Sequence, residues 1–319
     1  MTRTWPFTKG LHDIGNGHFA YLQPSGTWGY NNTGLVVDGD QSLLVDTLFD
    51  EVLTADMLNT MKAATGIGGK EITTLVNTHA NGDHTFGNNL VSNAEIIASK
   101  ASAEEMLEQP PAMLAEFLRQ APNMGEMGEF LLHIFGAFDF DGVTLRPPTK
   151  TFTGSMDIPV GDKTVKLIEV GPAHTHGDVL AYVPDDKVVY TGDILFIDGT
   201  PIMWAGPVSN WIEACNLILQ WDVDTIVPGH GPITDKEGVR RMRDYLVYVD
   251  REARKRYDAG MSAADAAWDI AISDYSSWDS PERIVVNVDT LYREYSGSKE
   301  EQNIQELFGL MARMHKELR

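Results

Sequence analysis

Five short apolar runs punctuate the chain before residue 231, and each leads to a residue that can titrate or bind a metal. Leu43-Leu44-Val45 ends at Asp46, Thr74 to Thr78 ends at His79, and Val188 to Gly192 ends at Asp193. Thr225 to Gly229 ends at His230, and Val165 to Val170 leads through Gly171 and Pro172 to His174. Runs of this length, rich in Val, Ile, Leu and Thr, predict buried β-strands. Helical stretches alternate with them, which is the α/β signature. Active sites of such proteins gather on loops leaving one edge of a sheet. Five strand ends offering His or Asp therefore point to one site.

Two regions break the rhythm. Between residues 100 and 140 the pattern predicts helices over Ala101–Glu108, Ala112–Gln120 and Glu126–Phe138, broken by Pro110, Pro111 and Pro122. Their Met and Phe residues predict an inserted helical subdomain with a small core of its own, or a lid lining an apolar pocket. After residue 237 the pattern turns helical: Glu237–Ala259, Ser262–Ser273, Pro281–Tyr295 and Asn303–Leu318. The expected organisation is a catalytic domain over residues 1–237, with the insertion at about 100–140, and a helical C-terminal extension over 238–319 packed on it.

Charge narrows the partners. Against 25 Lys and Arg stand 46 Asp and Glu, a net charge of −21. The extension carries 13 basic and 15 acidic residues, so the excess lies in the first 237. An acidic surface repels nucleic acid and anionic membranes, which leaves a small-molecule substrate. The C-terminal helices are the face expected to carry any homo-oligomer. One cysteine, Cys215, excludes an internal disulfide and a multi-thiolate metal site. The first ten residues show no apolar signal segment, and no run approaches a membrane span, so the expected location is cytoplasmic.

The densest chemistry is His79-Ala80-Asn81-Gly82-Asp83-His84. Imidazole and carboxylate suit zinc and iron(II). His174, Asp193 and His230 add three more donors at strand ends. His12, His18, His133 and His315 lie elsewhere and read as structural. The pattern resembles the metallo-β-lactamase superfamily. Its HxHxDH motif corresponds to His79, Asn81, Asp83 and His84. Its later ligands correspond to His174, Asp193 and His230, and its early strand-end aspartate to Asp46. The resemblance covers roughly residues 12–235. It implies an αββα sandwich with the metal site at one edge of two sheets. It also implies one ion at His79, residue 81 and His174, another at Asp83, His84 and His230, and Asp193 bridging.

Asn81 stands where the family has a histidine. It is either a weak neutral oxygen ligand or a hydrogen-bonding brace of its loop. The expectation is one tightly held Zn2+ and a second, weaker ion, with Fe2+ or Mn2+ as other occupants. Asp46 is expected to brace a ligand. His176 is expected beside the ligands or turned away. Asn210 is expected to cap the helix that follows it, with Glu213 three residues on, or to reach the substrate. Trp28, Trp204 and Trp211 flank the site loops, as packing or as stacking platforms.

The expected activity is metal-dependent hydrolysis by a zinc-activated water, with Asp83 and Asp193 as catalytic carboxylates. The resemblance implies an ester, lactone, amide or activated halide as substrate. The acidic surface and the apolar insertion favour a neutral, apolar molecule. Two rivals stand beside this reading. His79, His174 and Asp193 could form the facial triad of a non-haem iron dioxygenase of the persulfide dioxygenase type. The chain could also be a non-catalytic metal-binding interaction protein.

Overall fold

A computed structural model describes residues 5–24, 28–270, 273–300 and 302–318. The strands form two sheets. The first runs in the order β1 (Gly10–Gly15), β2 (His18–Leu22), β3 (Thr33–Asp38), β4 (Gln41–Val45), β5 (Thr74–Val76), β6 (Glu95–Ser99), β7 (Lys150–Phe152). β1 to β4 pair antiparallel, and β4 to β7 pair parallel. The second sheet holds β8 (Ser155–Val160), β9 (Lys163–Glu169), β10 (Val179–Val183), β11 (Val188–Tyr190) and β12 (Thr225–Val227), with β12 parallel to β11 at one edge.

Alternation along each strand builds the layers, because successive side chains point to opposite faces. Leu43 and Val45 enter the core between the sheets with Val165, Leu167, Val179 and Val227. Leu44 points the other way, onto Met57, Leu58 and Met61 of α1 (Glu51–Thr65). Val189, Leu180 and Ile226 leave the second sheet on its far side. There they meet Trp211, Cys215 and Ile218 of α6 (Val208–Gln220) and Met242, Tyr245 and Leu246 of α7 (Lys236–Asp258). The result is the expected αββα sandwich. Asp50 caps α1 by accepting from Leu53 N at 2.7 Å, and Gly66, at φ 80°, ends it.

Between β5 and β6 lies the single turn α2 (Gly82–Thr85). The insertion folds as α3 (Lys100–Glu105), α4 (Pro111–Gln120) and α5 (Gly125–Phe135), each shorter than or offset from its expected span. Its expected separate core is not found. Phe130, Phe135 and Phe138 join Trp28 and Phe49 in the same apolar cluster as α6 and α7. Trp28 meets Phe130 and Phe135 edge-on, with centroids 6.2 and 6.0 Å apart. A three-helix insertion of this size has too few inward faces to bury a core alone, so it shares one.

The extension adds α8 (Ala263–Asp269), α9 (Ile284–Ser296) and α10 (Ile304–Glu317). The sequence pattern extended the helix of α8 to Ser273. Ile270 has already left helical geometry, and residues 271–272 lie outside the described residues. Leu307, Met311 and Met314 of α10 belong to the cluster that holds Phe130 and Ile134 of α5, so insertion and extension meet. Among the described residues, no helix is long and apolar enough to cross a membrane.

Candidate metal centre

All five strand-end loops converge at one edge of the sandwich. Asp46 follows β4 at φ 64°, a left-handed conformation that Asp tolerates better than most residues. Its buried carboxylate accepts from Thr78 N and Thr78 Oγ1, both at 2.7 Å, and from His84 Nδ1 at 2.9 Å. The loop after β5 brings His79 inward and starts α2, which sets Asp83 and His84 side by side. From the second sheet come His174, Asp193 and His230. Two glycines permit the close approach. A Cβ on Gly192, at φ 50°, would lie 2.3 Å from Thr78 Oγ1, and one on Gly229 would lie 2.0 Å from Asp193 Oδ1.

The four imidazoles are oriented alike. Nδ1 of His84 donates to Asp46, Nδ1 of His174 to Ile202 O at 2.6 Å, and Nδ1 of His230 to Tyr30 O at 3.1 Å. His79 Nδ1 lies 3.0 Å from Thr78 Oγ1, whose own proton goes to Asp46, so the hydroxyl accepts. In its neutral form each ring thus turns its Nε2 lone pair toward the same volume. Asp193 Oδ2 lies 3.8 Å from His79 Nε2 and 3.4 Å from both His174 Nε2 and His230 Nε2, while its Oδ1 lies 3.1 Å from His84 Nε2. Asp83 Oδ2 is 3.3 Å from His230 Nε2 and 3.8 Å from His84 Nε2.

Do these residues fit a metal? Two ligands of one ion at about 2.1 Å can stand at most about 4.2 Å apart. Every distance above meets that limit. His79 Nε2, His84 Nε2 and Asp193 Oδ1 are buried with no hydrogen-bond partner. Orphaned buried donors and acceptors are rare and costly, and three in one place match a cation's ligand set. His79, His84 and Asp193 form one candidate triplet, and Asp83, His84 and His230 another.

Electrostatics divides the four rings into two pairs. Burial pushes His79 and His174 down, which keeps them neutral. Burial opposes the charged form of His84 and His230 too, but Asp193 and Asp83 beside them raise both. Burial alone would raise the Asp83 carboxyl, yet His84 and His230 hold it at about 2. Asp193 is held well below its ordinary value against the same burial, chiefly by His230 and His84. Ligation at His84 and His230 therefore competes with protons.

Of the expected site residues, His79, Asp83, His84, His174, Asp193 and His230 come together. Asp46 and Asn81 touch them directly, Asn81 Oδ1 lying 2.8 Å from His174 Nε2. Three others do not join them. The His176 side chain is 66% exposed and pairs with Glu105 at 3.2 Å, because its peptide N–H is tied to the same carboxylate. Asn210 neither caps α6 nor reaches the centre. Pro207 stands at the cap position, and the Asn210 amide donates outward to Pro172 O at 3.2 Å. Trp204 borders the centre only by its backbone N–H, given to His174 O, while its ring stacks on Phe308. Trp28 and Trp211 are core residues.

The sequence pattern did not reveal the contribution of α9. Asn287 Oδ1 accepts from Met203 N at 2.8 Å, and its Nδ2 donates to Pro201 O at 2.9 Å. Thr290 Oγ1 donates to Met203 O at 2.6 Å. Together they clamp the segment whose Ile202 carbonyl orients His174. The available signal was one polar residue inside the apolar run Ile284-Val285-Val286-Asn287-Val288. Arg283 was also missed. It is 6% exposed, donates to Thr200 O, and covers the faces of Trp28 and Phe196 at 4.4 and 5.4 Å. Phe196 in turn stacks on His230 at 5.0 Å. A cation therefore stands one ring away from the centre, where the sequence pattern placed none.

The profile of the metallo-beta-lactamase superfamily matches residues 26–230, which contain every one of these ligands. The chain belongs to that superfamily. A beta-lactamase-like protein 2 homolog of Caenorhabditis elegans is 21% identical over 224 residues, covering 70% of this chain and 63% of that protein. The solved sec-alkylsulfatase of a Pseudomonas species superposes with a TM-score of 0.68 at 13% identity, over 94% of this chain and 52% of that one. A metallo-beta-lactamase from Pontibacter korlensis gives a TM-score of 0.58 at 16% identity, over 75% of this chain and 99% of that one. The chain thus spans less than two thirds of the length of the nematode relative and about half of the alkylsulfatase. At these identities the solved structures share the superfamily fold, and with it the sandwich described above.

Proposed function

We propose that this superfamily member is a metal-dependent hydrolase of a small, mainly apolar ester-type substrate. The observation that carries the reading is the shared orientation of His79, His84, His174 and His230, each tethered at Nδ1 and open at Nε2. Four such nitrogens converging with two carboxylates on one buried volume suit a divalent cation, since general acid–base work needs only one ring. A cation bound there supplies an acidified water and polarises the substrate. Asp83 and Asp193 remain ionised at neutral pH, and their oxygens fix the direction of the water's protons. An Asp83 held at about 2 is a poor base at pH 7, so it orients more than it transfers. Tyr30, whose carbonyl orients His230, and Trp204, whose N–H binds His174 O, are partly exposed aromatic residues on the loops that build the centre, which suits an apolar substrate group.

The test is a panel of chromogenic neutral esters, lactones, a β-lactam and a medium-chain alkyl sulfate, with metal-loaded protein and the Asp193→Asn variant. Zinc-dependent turnover of a neutral ester supports the proposal. Turnover of the alkyl sulfate alone replaces neutrality with an anionic substrate class. Iron after purification without added metal, with oxygen uptake, replaces hydrolysis with the dioxygenase reading.

A further inference from the structure

His230 stands between two glycines, in Pro228-Gly229-His230-Gly231. Glycine restrains its backbone least of all residues, so this loop brings little stiffness of its own to the ligand it carries. The restraint comes from the residues that lead into β3. Asn32 N donates to Gly229 O at 2.7 Å. Its side-chain Nδ2 donates to Pro228 O at 3.0 Å and to Gly231 O at 2.8 Å, one carbonyl on each flank of the Gly229–His230 pair. The carbonyl of His230 itself accepts from Ile197 N at 3.0 Å. Asn32 thus takes three of the loop's four carbonyls.

An asparagine suits this task and its isostere does not. A primary amide carries two N–H groups, and both side-chain partners here are carbonyls, which only accept, so the amide cannot be turned over. Asn32 is 3% exposed, and its Oδ1 is buried without a hydrogen-bond partner. The side chain therefore contributes donors alone. An aspartate of the same shape would set carboxylate lone pairs against two carbonyl oxygens. The neighbouring Asn31 turns to the loop after β4, where its Nδ2 donates to Thr47 O at 2.9 Å. Thr47 in turn donates from N and Oγ1 to His84 O, at 3.0 and 3.2 Å. Two consecutive residues are thus bonded to the loop of His230 and, through Thr47, to that of His84. These ligands come from different sheets yet share one triplet with Asp83.

We infer that Asn32 is a positioning residue of the metal centre: its two side-chain N–H groups hold the glycine-flanked loop where His230 meets Asp83 and His84. It is not itself a ligand. Without those bonds the backbone regains freedom at Gly229 and Gly231, and that freedom has to be lost again whenever a cation draws His230 into place. Affinity at the triplet therefore falls even though all three of its side chains remain. His79 and His174 sit on other loops with tethers of their own. This rests on the triplet of Asp83, His84 and His230, not on the reaction proposed for the centre.

The test is competition of the metal-free full-length chain with a chromophoric chelator for Zn2+, in a double-mutant cycle of Asn32→Ala, His230→Ala and the two combined, with Asn32→Asp beside them. His230→Ala marks the equivalent of zinc that depends on this loop. Asn32→Ala should weaken that same equivalent about tenfold, the lower end of the cost of losing a ligand's supporting partner, and Asn32→Asp at least as much. In the His230→Ala background, Asn32→Ala should change zinc affinity by less than about twofold, because a residue acting through a side chain has nothing to act on once it is gone. A lower Tm of metal-free Asn32→Ala with wild-type zinc affinity would make the bonds purely structural and overturn the inference. An equal loss of affinity with and without His230 would overturn it too. Should Asn32→Ala and Asn32→Asp fail to fold by circular dichroism, Asn32→Ser, which keeps one donor, decides: unchanged zinc affinity overturns the inference. If His230→Ala weakens no equivalent, the inference falls together with the triplet. Intact metal binding without hydrolysis of any panel substrate overturns only the proposed reaction.

Discussion

Asp46→Asn removes one charge, keeps the shape, and forces a choice on a buried network. In the native arrangement, Oδ1 accepts from Thr78 N, and Oδ2 accepts from Thr78 Oγ1 and His84 Nδ1. If the new amide keeps its oxygen toward Thr78 N, its NH2 faces His84 Nδ1. That ring must then accept at Nδ1 and carry its proton on Nε2, where it blocks ligation. If the amide turns its oxygen toward His84, its NH2 meets the Thr78 N–H. That pairing leaves a buried donor unsatisfied, at about 1–3 kcal/mol. The first outcome should cost about 10–100-fold in metal affinity, or about 1.4–2.7 kcal/mol. The second should appear as a lower Tm in the metal-free protein. Competition against a chromophoric chelator measures affinity, calorimetry measures Tm, and nitrogen-15 shifts of His84 report the tautomer. A variant with wild-type affinity, Tm and tautomer would refute the argument that Asp46 holds His84 in its ligating form.

Asn287→Ala should lower Tm by exposing two unmet backbone groups and weaken metal binding at the His174 position about tenfold; unchanged binding despite a lower Tm would separate α9 from the site. Asp193→Asn should abolish tight metal binding with an unchanged circular dichroism spectrum, whereas His176→Ala, which alters an exposed pair with Glu105, should leave affinity and turnover within about twofold; the reverse order would show the ligands are misassigned. Stability should fall on acidification. His18 is held below its ordinary 6.5 by burial, and Asp186 is held below 3.8 by Lys163 and His18 despite its burial. Both folded values lie below the unfolded ones, so the unfolded chain binds more protons and stability is lost as pH drops through 6.5 and then further through the carboxylate range. His18→Gln should reduce the loss of Tm between pH 7.5 and 5.5 at saturating metal, and an identical loss would refute the assignment.

The sequence by itself determined the strand ends, their chain order and the identity of six donors, because those features are periodic or chemically distinctive. Leu43 to Val45 reads as a strand from its composition, and a histidine after it or its neighbours announces chemistry wherever it lies. Helical insertion and extension were legible for the same reason, though not their shared core, since periodicity tells which face is apolar and not what it meets. Tertiary structure alone decided how the donors are aimed. The groups that fix His174 and His230 are the backbone carbonyls of Ile202 and Tyr30, 28 and 200 residues away. Every residue has a carbonyl, so no side-chain pattern marks the two that matter. Asn287 acts on that carbonyl segment from 84 and 86 residues away, through a fold contact that local periodicity does not encode. The same limit applied to Asn81. The motif left it a weak ligand or a brace of its own loop, and only the placement of His174 across from it put the amide oxygen 2.8 Å from Nε2.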